Sequence, residues 1–490
     1  MAKEWVIRGV PPGLSRDMWW LASAADVPPE PPQRQRAREA GGAGGRASAL
    51  VGLIVLADWL FFARVPGLSL ALFAAAVLGT VMLLSPGQER LRPALVLLVA
   101  ALPVVEYVQA LSLEILGLGL VVSVVCASGG TNALGRRAVA LVADLPLRGI
   151  RDGIGLGISV TESGLMRDRQ RHLRAWAFPL GGALVLSALL VEANPVLGEI
   201  ASRLSRPGIS ATTLQRVLFW TGAALLIWPL ITPVRATGET APVKMPNLPG
   251  PGAGSVARGL VVFNAILSVQ TVMDAAYLWG GTALPDGMTA AEYAHRGAYP
   301  LLVTALLAGV FALAARPFAA EDRRLRGLLL LWLAQNVALT LSALLRLDLY
   351  VDAFGLTYLR VHASIWMALV AAGLALTAWQ VWRGLPNRWL LARSVALGAG
   401  TLYAASFVNF AGVIAAENLS RPDRLDAFYV CALGPMAATE VLISGLDLPC
   451  TTGKPQIDGW RDWGFREWRV GRYLETLPVA EGMREDPGGG

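Results

Sequence analysis

Long apolar stretches recur along most of the chain, and short segments carrying most of its charge separate them. An apolar helix of about 18 or more residues, rising 1.5 Å per residue, can cross ~30 Å of hydrocarbon. Such stretches must be helical, because a bilayer offers backbone groups no other hydrogen-bond partners. The pattern therefore predicts an all-α, polytopic transmembrane helical bundle with eleven spans, at 48–65, 67–84, 93–109, 112–127, 174–192, 213–232, 257–280, 299–315, 326–346, 362–382 and 391–415.

A further apolar run at 427–446 contains Pro435 and Glu440, and it predicts either a surface helix or a twelfth span. Composition agrees with a membrane protein, since 54% of the 490 residues are hydrophobic and only 16% are charged. Ordinary soluble domains are about a quarter charged, so a soluble enzyme of this size is excluded.

The distribution of lysine and arginine predicts how the chain is oriented. With the N-terminus in the cytoplasm, cytoplasmic segments receive 27 of the 42 basic residues, outer loops receive seven, and the C-terminal tail holds the other eight. Cytoplasmic loops of membrane proteins are enriched in these residues, so an inside N-terminus is favoured. Eleven spans would place the C-terminal tail outside, whereas a twelfth would return it to the cytoplasm.

The same segments suggest a division of the chain. We expect an irregular, Pro/Arg-rich cytoplasmic tail, a first group of membrane helices, a Pro/Gly linker, a second group of membrane helices, and an amphipathic C-terminal segment with its tail. Their boundaries are 1–46, 47–241, 242–256, 257–418 and 419–490. The basic cytoplasmic loop 128–174 belongs to the first group, and we expect it to contact anionic lipid head groups rather than nucleic acid.

Polar residues within the spans are candidates for function, because burying them in a membrane is costly. Asp58 lies near the middle of the first span, where it could carry a proton or form a structural bond to a neighbouring helix. Asn264, Gln335 and Asn336 lie within the seventh and ninth spans, where amides commonly bridge helices.

The predicted orientation places many polar residues of the second half at one level near the outer face. This cluster consists of Asp274, Tyr277, Glu292, His295, Arg296, Arg346, Asp348, Asp352, Arg360, His362 and Asn409. Arg346 lies close to Asp348 and Asp352 in the chain, which suggests local ion pairs. Such a layer could hold the outer loops together, or it could bind a ligand.

Motifs that would identify a reaction are not found in the sequence. Glu292 and His295 have the spacing of two ligands on one helix face, but a di-iron bundle needs a second such pair. A zinc site using His295 and His362 is conceivable, although we predict neither a metal nor a cofactor. Cys431 and Cys450 could form a disulfide if both face an oxidising compartment.

Three runs in the second half resemble a known group of bacterial membrane proteins. They are QTVMDAAYLWGGTALPDGMTAAEYAHRGAYPLLVTALLAG (270–309), RLDLYVDAFGLTYLRVHASIW (346–366) and SFVNFAGVIAAENL (406–419). The chain is similar, over about residues 255–475, to the families DUF4173 and DUF4153. Ala416 and Glu417 depart from the Arg-Tyr pair expected before Asn418. The resemblance implies a multi-pass integral protein of the bacterial inner (cytoplasmic) membrane, and it supplies no substrate or catalytic residue.

Two classes of function stay open at this point. The outer cluster could bind or help to transport a small ligand, with an anion contacting Arg296, Arg346 and Arg360 as one candidate. Alternatively, the protein is a non-transporting scaffold or sensor subunit whose outer loops dock a partner protein. An enzyme is a less favoured interpretation than either.

Overall fold

The computed structural model describes residues 33–85, 90–129, 135, 137–139, 141–142, 211–232, 252–279, 307–450 and 453–476. Every regular element within these ranges is a helix. The helices are α1 (Gln33–Phe61), α2 (Leu68–Leu84), α3 (Leu91–Glu106), α4 (Ala110–Gly129), α5 (Ala211–Ile231), α6 (Ala253–Asp274), α7 (307–321), α8 (Arg323–Phe354), α9 (Tyr358–Arg383), α10 (Asn387–Ala405), α11 (Phe410–Leu419), α12 (Ala427–Ala432), α13 (Ala438–Ser444) and α14 (Phe465–Thr476).

Six of these described helices contain a segment long and apolar enough to cross a membrane. The segments are Gly44–Phe61, Ala110–Ser128, Thr212–Ile231, Ala253–Tyr277, Arg323–Phe354 and Tyr358–Arg383. α10 and α11 add a seventh if they are taken together as one broken span. The predicted span at 174–192 lies outside the described residues.

Several boundaries differ from those predicted. The predicted span at 391–415 is not one continuous helix, because the chain bends by 69° between α10 and α11. The possible twelfth span is replaced by the short helices α12 and α13, neither of which could cross a bilayer. α1 begins at Gln33, so the end of the supposedly irregular N-terminal tail is helical.

Contacts divide the described chain into two compact units. The first contains the described residues of 1–59, 79–88 and 140–234, and the second contains those of 60–78, 89–139 and 235–490. In the first unit, two side chains of α5 donate hydrogen bonds to the carboxylate of Asp58. Arg216 donates from Nε at 2.8 Å and from Nη2 at 2.7 Å, and Trp220 donates from Nε1 at 2.9 Å.

A helical bundle formed by α6 to α9 is the main apolar core of the second unit. Phe263, Phe311 and Trp332 join three of these helices, with ring centroids 5.5 to 5.9 Å apart. Such aromatic contacts add to the stabilisation from burial itself.

α6 and α8 run parallel, as side-chain contacts at three levels show. The amide of Asn264 donates to Leu328 O at 3.0 Å, and that of Gln335 donates to Ser268 Oγ at 2.7 Å. Near the end of α6, Asp274 pairs with Arg346. The residue numbers rise together along both helices, as expected if each crosses the membrane in the same direction.

A layer of short elements covers the end of the bundle where α8 finishes; we call it the end layer and define it as residues 406–450 and 453–476. Its apolar core comes from α11, α12, α13 and α14, together with Met436 and Ala437, and includes Ala415, Val430 and Val470. A disulfide joins Cys431 to Cys450 within it. The pairing that the sequence left open is therefore present.

The end layer also contacts the start of α2. The backbone N–H groups of Leu68 and Ser69 donate to the carbonyls of Trp463 and Arg461, at 2.9 and 3.2 Å. These bonds satisfy donors that the first turn of a helix leaves without intrahelical partners. A side chain at Gly67 would collide with the backbone of Asp462, so this close approach requires glycine.

Candidate functional site

The ion pair between Arg346 and Asp274 is the most deeply buried charged contact among the described residues, with side chains 4% and 3% exposed. Gln270, one turn earlier on α6, also donates to the Asp274 carboxylate, at 2.8 Å. The structure thus brings together two members of the predicted outer cluster. Arg346 reaches across to α6, whereas the sequence suggested local pairing with Asp348 and Asp352.

A seam of buried polar side chains continues from this pair along the interface of α6 and α8. Asn264, Gln335 and Asn336 are all at most 7% exposed, and each amide donates a hydrogen bond. Their carbonyl oxygens have no hydrogen-bond partner within the described parts of the chain. The bonds from Asn264 and Gln335 cross between the helices, as predicted for these amides, whereas Asn336 donates to Trp332 O of its own helix.

The turn between α8 and α9 is held by side chains from several elements. Asn418 on α11 accepts from Leu356 N at 2.6 Å and donates to Leu356 O at 2.9 Å. Gly355 ends α8 with a φ of 76°, and a Cβ there would lie 2.9 Å from Asn418 Oδ1. This turn therefore needs glycine both for its backbone conformation and for space.

Charged residues of the predicted cluster brace the same turn. Arg360 donates to the carbonyls of Phe354 and Gly355, and its guanidinium lies 4.6 Å from the ring centre of Tyr350. Arg421 bridges Asp352 on α8 and Glu417 on α11, with both N···O distances 2.8 Å.

These contacts divide the predicted cluster into two levels. α8 ends at Phe354 rather than near Arg346, so the turn lies about 12 Å beyond the Arg346–Asp274 pair along the helix axis. The buried pair of Arg346 and Asp274 forms one level, within the bundle. Asp352 and Arg360 form the other level, at the turn where α8 ends.

An open cleft of about 550 Å³ lies among α8, α9 and α11. Its polar lining consists of Asp348, Glu417 and Ser364, and the rest is apolar. The apolar lining residues are Leu344, Leu345, Val351, Leu356 and Val413. In such a cleft, the two carboxylates can attract a cation, and the apolar side chains can bury the hydrocarbon part of a ligand.

The other predicted cluster residues have varied positions. Tyr277 is half-buried in the π-helical turn that follows α6. His362 is exposed on α9, with its ring centre 6.1 Å from that of Phe410. Asn409 begins α11, accepting from Gly412 N and donating to Met436 O. Glu292, His295 and Arg296 lie outside the described residues, and so does most of the basic loop 128–174.

Asp58 also differs in position from the prediction. The apolar helix ends at Phe61, so Asp58 lies one turn from that end rather than near its middle. Its contacts with Arg216 and Trp220 provide the structural bond to a neighbouring helix that was one of its two predicted roles.

A second buried ion pair, not anticipated from the sequence, fixes the end layer. Arg466 on α14 donates from Nε to Glu106 at the end of α3, at 3.1 Å, and from Nη2 to Ser406 O, at 3.0 Å. Gln109 donates to the same carbonyl at 3.1 Å. α14 thereby stabilises the bend between α10 and α11. One feature of the sequence could have indicated this ion pair. Arg466 precedes Val470 by four positions, so a charged residue lies on the apolar face of a short amphipathic helix.

Two carboxyl groups of the end layer have shifted pKa values of opposite sign. Partial burial raises the pKa of Glu467, and the nearby Asp462 carboxylate adds to this effect. The hydrogen bond from Lys454, at 2.7 Å, lowers the pKa of Glu475.

Comparison with protein families decides which group the chain belongs to. The family described as "Domain of unknown function (DUF4153)" matches residues 49–442. The chain belongs to the DUF4153 family. The match includes the first group of helices, which the resemblance seen in the sequence did not cover. No curated protein and no solved structure matched the chain.

Within the described ranges, no group of three or more His, Cys, Asp or Glu side chains is arranged to hold a metal ion. The described chemistry is instead that of two buried ion pairs, a seam of amides and an acid-lined cleft.

Proposed function

We propose that this membrane protein binds a small organic cation, at the outer face of a bacterial cytoplasmic membrane, in the cleft lined by Asp348 and Glu417. The observation that carries the proposal is the cleft itself, which combines these carboxylates with an apolar lining and a volume of about 550 Å³. Volumes of this order suit small-molecule ligands.

The assignment of the cleft to the outer face has two independent supports. One is the excess of arginine in segments that an inside N-terminus places in the cytoplasm. The other is the Cys431–Cys450 disulfide, because disulfides persist in oxidising compartments such as the bacterial periplasm. Both lead to the same side for the end layer, and the cleft lies beside that layer.

The charges around the cleft favour a cation over the anion considered from the sequence. Arg346 is buried against Asp274, and Arg360 donates to backbone carbonyls at the turn. Neither lines the cleft, whereas Asp348 and Glu417 do. Arg421 balances only part of this negative charge, since it also pairs with Asp352.

A matched pair of probes tests this proposal. Choline carries a quaternary ammonium, and 3,3-dimethylbutan-1-ol has nearly the same shape without the charge. We expect choline to raise the unfolding temperature of the purified protein while the neutral alcohol has little effect. D348N and E417Q should weaken choline binding, whereas D423N, which changes an exposed carboxylate outside the cleft lining, should not. Equal binding of both probes, or unchanged binding by D348N and E417Q, would refute a cation site.

Transport of the ligand is a further step of this proposal. It would require the packed interface of α6 and α8 to open, and the amides of Asn264 and Gln335, whose side-chain oxygens have no hydrogen-bond partner among the described residues, are the polar groups that would then line the route. Uptake of labelled choline into proteoliposomes should then fall in N264L and Q335L while binding at the cleft persists. Binding without uptake would limit the function to recognition.

The second candidate function is a scaffold or sensor subunit that docks a partner protein. The favouring observation is that Phe428 and Ile443, on the short helices of the end layer, are 78% and 56% exposed. A photo-cross-linking residue at position 428 should then yield one defined protein adduct in native membranes. A matched label at the exposed Gln456 is the control, and adducts of equal pattern at both positions would argue against docking.

A further inference from the structure

α14 lies where α3 and α10 end. Its residue Arg466 is 3% exposed at the side chain and bonds to Glu106, the last residue of α3, and to Ser406 O, directly after α10. Apolar membrane helices finish near the boundary between hydrocarbon and head groups. These bonds therefore hold α14 at the level of that boundary.

The opposite side of α14 exposes aromatic rings. Phe465 and Trp468 are 38% and 42% exposed, and their ring centres lie 5.8 Å apart. Residues three or four positions apart share one helix face, so these rings lie on the same side as Arg469 and Arg472. Indole and phenyl groups in this position are typical of the membrane interface.

Two arginines accompany the rings. The side chains of Arg469 and Arg472 are 54% and 68% exposed. Arg469 lies 3.6 Å from the Glu106 carboxylate and 5.5 Å from the ring centre of Phe465, and Arg472 lies 3.8 Å from the Glu475 carboxylate. Both guanidinium side chains nevertheless remain more than half exposed. Long cationic side chains beside interfacial aromatic rings can extend to lipid phosphates.

We propose that α14 is an interfacial helix that binds phospholipid head groups of the leaflet at which α3 and α10 end. Phe465 and Trp468 enter the boundary between head groups and acyl chains, and Arg469 and Arg472 bond to lipid phosphates. The charge of these arginines makes anionic lipids the favoured partner. In this arrangement, α14 is attached to α3 and α10 through Arg466, and its exposed face is attached to the lipid.

The accessibility of a nitroxide label at position 468 tests the proposal in the full-length protein. W468C carries the label, Q456C on the exposed segment before α14 is the control, and Y473C is a second position if W468C folds poorly. Proteins are placed in nanodiscs of phosphatidylcholine alone or mixed with phosphatidylglycerol. Relaxation by oxygen reports the bilayer, and relaxation by a water-soluble nickel chelate reports the aqueous phase.

The label at 468 is expected to be reached by oxygen and protected from nickel, and the label at 456 to show the reverse. Phosphatidylglycerol should increase the protection at 468, and R469Q/R472Q should lose most of that increase. Nickel access at 468 equal to that at 456 would overturn the proposal. Protection of 468 from both reagents would also overturn it, because it would indicate contact with protein.

Discussion

Arg346 of α8 and Asp274 of α6, 72 positions apart in the chain, form an ion pair in which both side chains are almost fully buried. Burying two charges is costly, so such a pair stabilises the fold only while both members are present. The parallel packing of α6 and α8 ends at this pair.

Removing one charge of this pair is predicted to destabilise the protein strongly. R346M leaves the buried Asp274 carboxylate without its guanidinium, and we expect a loss of about 3–5 kcal/mol in the free energy of unfolding. The double variant D274L/R346M removes both charges and should recover most of that loss. Denaturant unfolding of the purified protein measures both quantities.

The exposed pair of Asp352 and Arg421 provides the matched control. Their side chains are 53% and 40% exposed, so D352N should change the same free energy by about 1 kcal/mol or less. A double variant D274L/R346M as unstable as R346M would show that the pair's charges are not the cause.

The contact between Arg466 and Glu106 is predicted to control the attachment of α14. R466M removes the bonds to Glu106 and to Ser406 O, and we expect α14 to detach and the peptide bonds around Arg469 and Arg472 to become sensitive to trypsin. R472Q removes only an exposed charge and should leave the trypsin pattern at Arg469 unchanged. Unchanged resistance in R466M would contradict the predicted attachment.

The disulfide between Cys431 and Cys450 is predicted to stabilise the end layer. It closes a short loop, with a sequence separation of 19, and loops of this size typically gain about 3 kcal/mol. C431S/C450S should therefore unfold at a lower temperature than the wild type. In denatured wild-type protein, alkylation should modify only Cys126 before reduction and all three cysteines afterwards; three modified thiols without reduction would be inconsistent with the pairing.

The raised pKa of Glu467 predicts a specific pH dependence of stability. The folded protein holds this proton more tightly than the unfolded chain, so the contribution of Glu467 is most favourable below the ordinary glutamate pKa of about 4.3. It becomes less favourable as the pH rises through the raised value. E467Q should therefore be more stable than the wild type at neutral pH, and this advantage should shrink on acidification.

Glu475 supplies the control of opposite sign. Its pKa is lowered by Lys454, so its favourable contribution is present above the ordinary glutamate pKa and is lost as the pH falls through the lowered value. E475Q should lose a small, salt-sensitive amount of stability at neutral pH, since both partners are about half exposed. Parallel pH profiles for E467Q and E475Q would rule out the assigned causes.

The sequence predicts the helical class and the common depth of Asp274 and Arg346 for the same physical reason. Apolar length identifies the spans, and arginine counting makes the seventh and ninth spans run in one direction. Two polar residues near the ends of parallel helices are then expected at similar depth. The division into two levels was missed because α8 continues to Phe354, through polar residues that a hydropathy pattern assigns to a loop.

Contacts between distant parts of the chain could not be predicted in this way. Glu106 and Arg466 are 360 positions apart, and neither belongs to a motif. The bend between α10 and α11 was missed because 391–415 is apolar enough overall to match a single span. Asn409 is the one residue that marks the break, since its side chain accepts from Gly412 N at the start of α11.

The sidedness of the end layer is tested most directly by labelling engineered cysteines in spheroplasts of a bacterial host with a membrane-impermeant maleimide. Q456C lies on the exposed segment before α14, and R388C lies at the opposite end of the bundle, in the first turn of α10. We predict that Q456C is labelled in intact spheroplasts, whereas R388C is labelled only after lysis. Labelling of R388C and protection of Q456C in intact spheroplasts would place the cleft, the disulfide and α14 in the cytoplasm and contradict the proposed function.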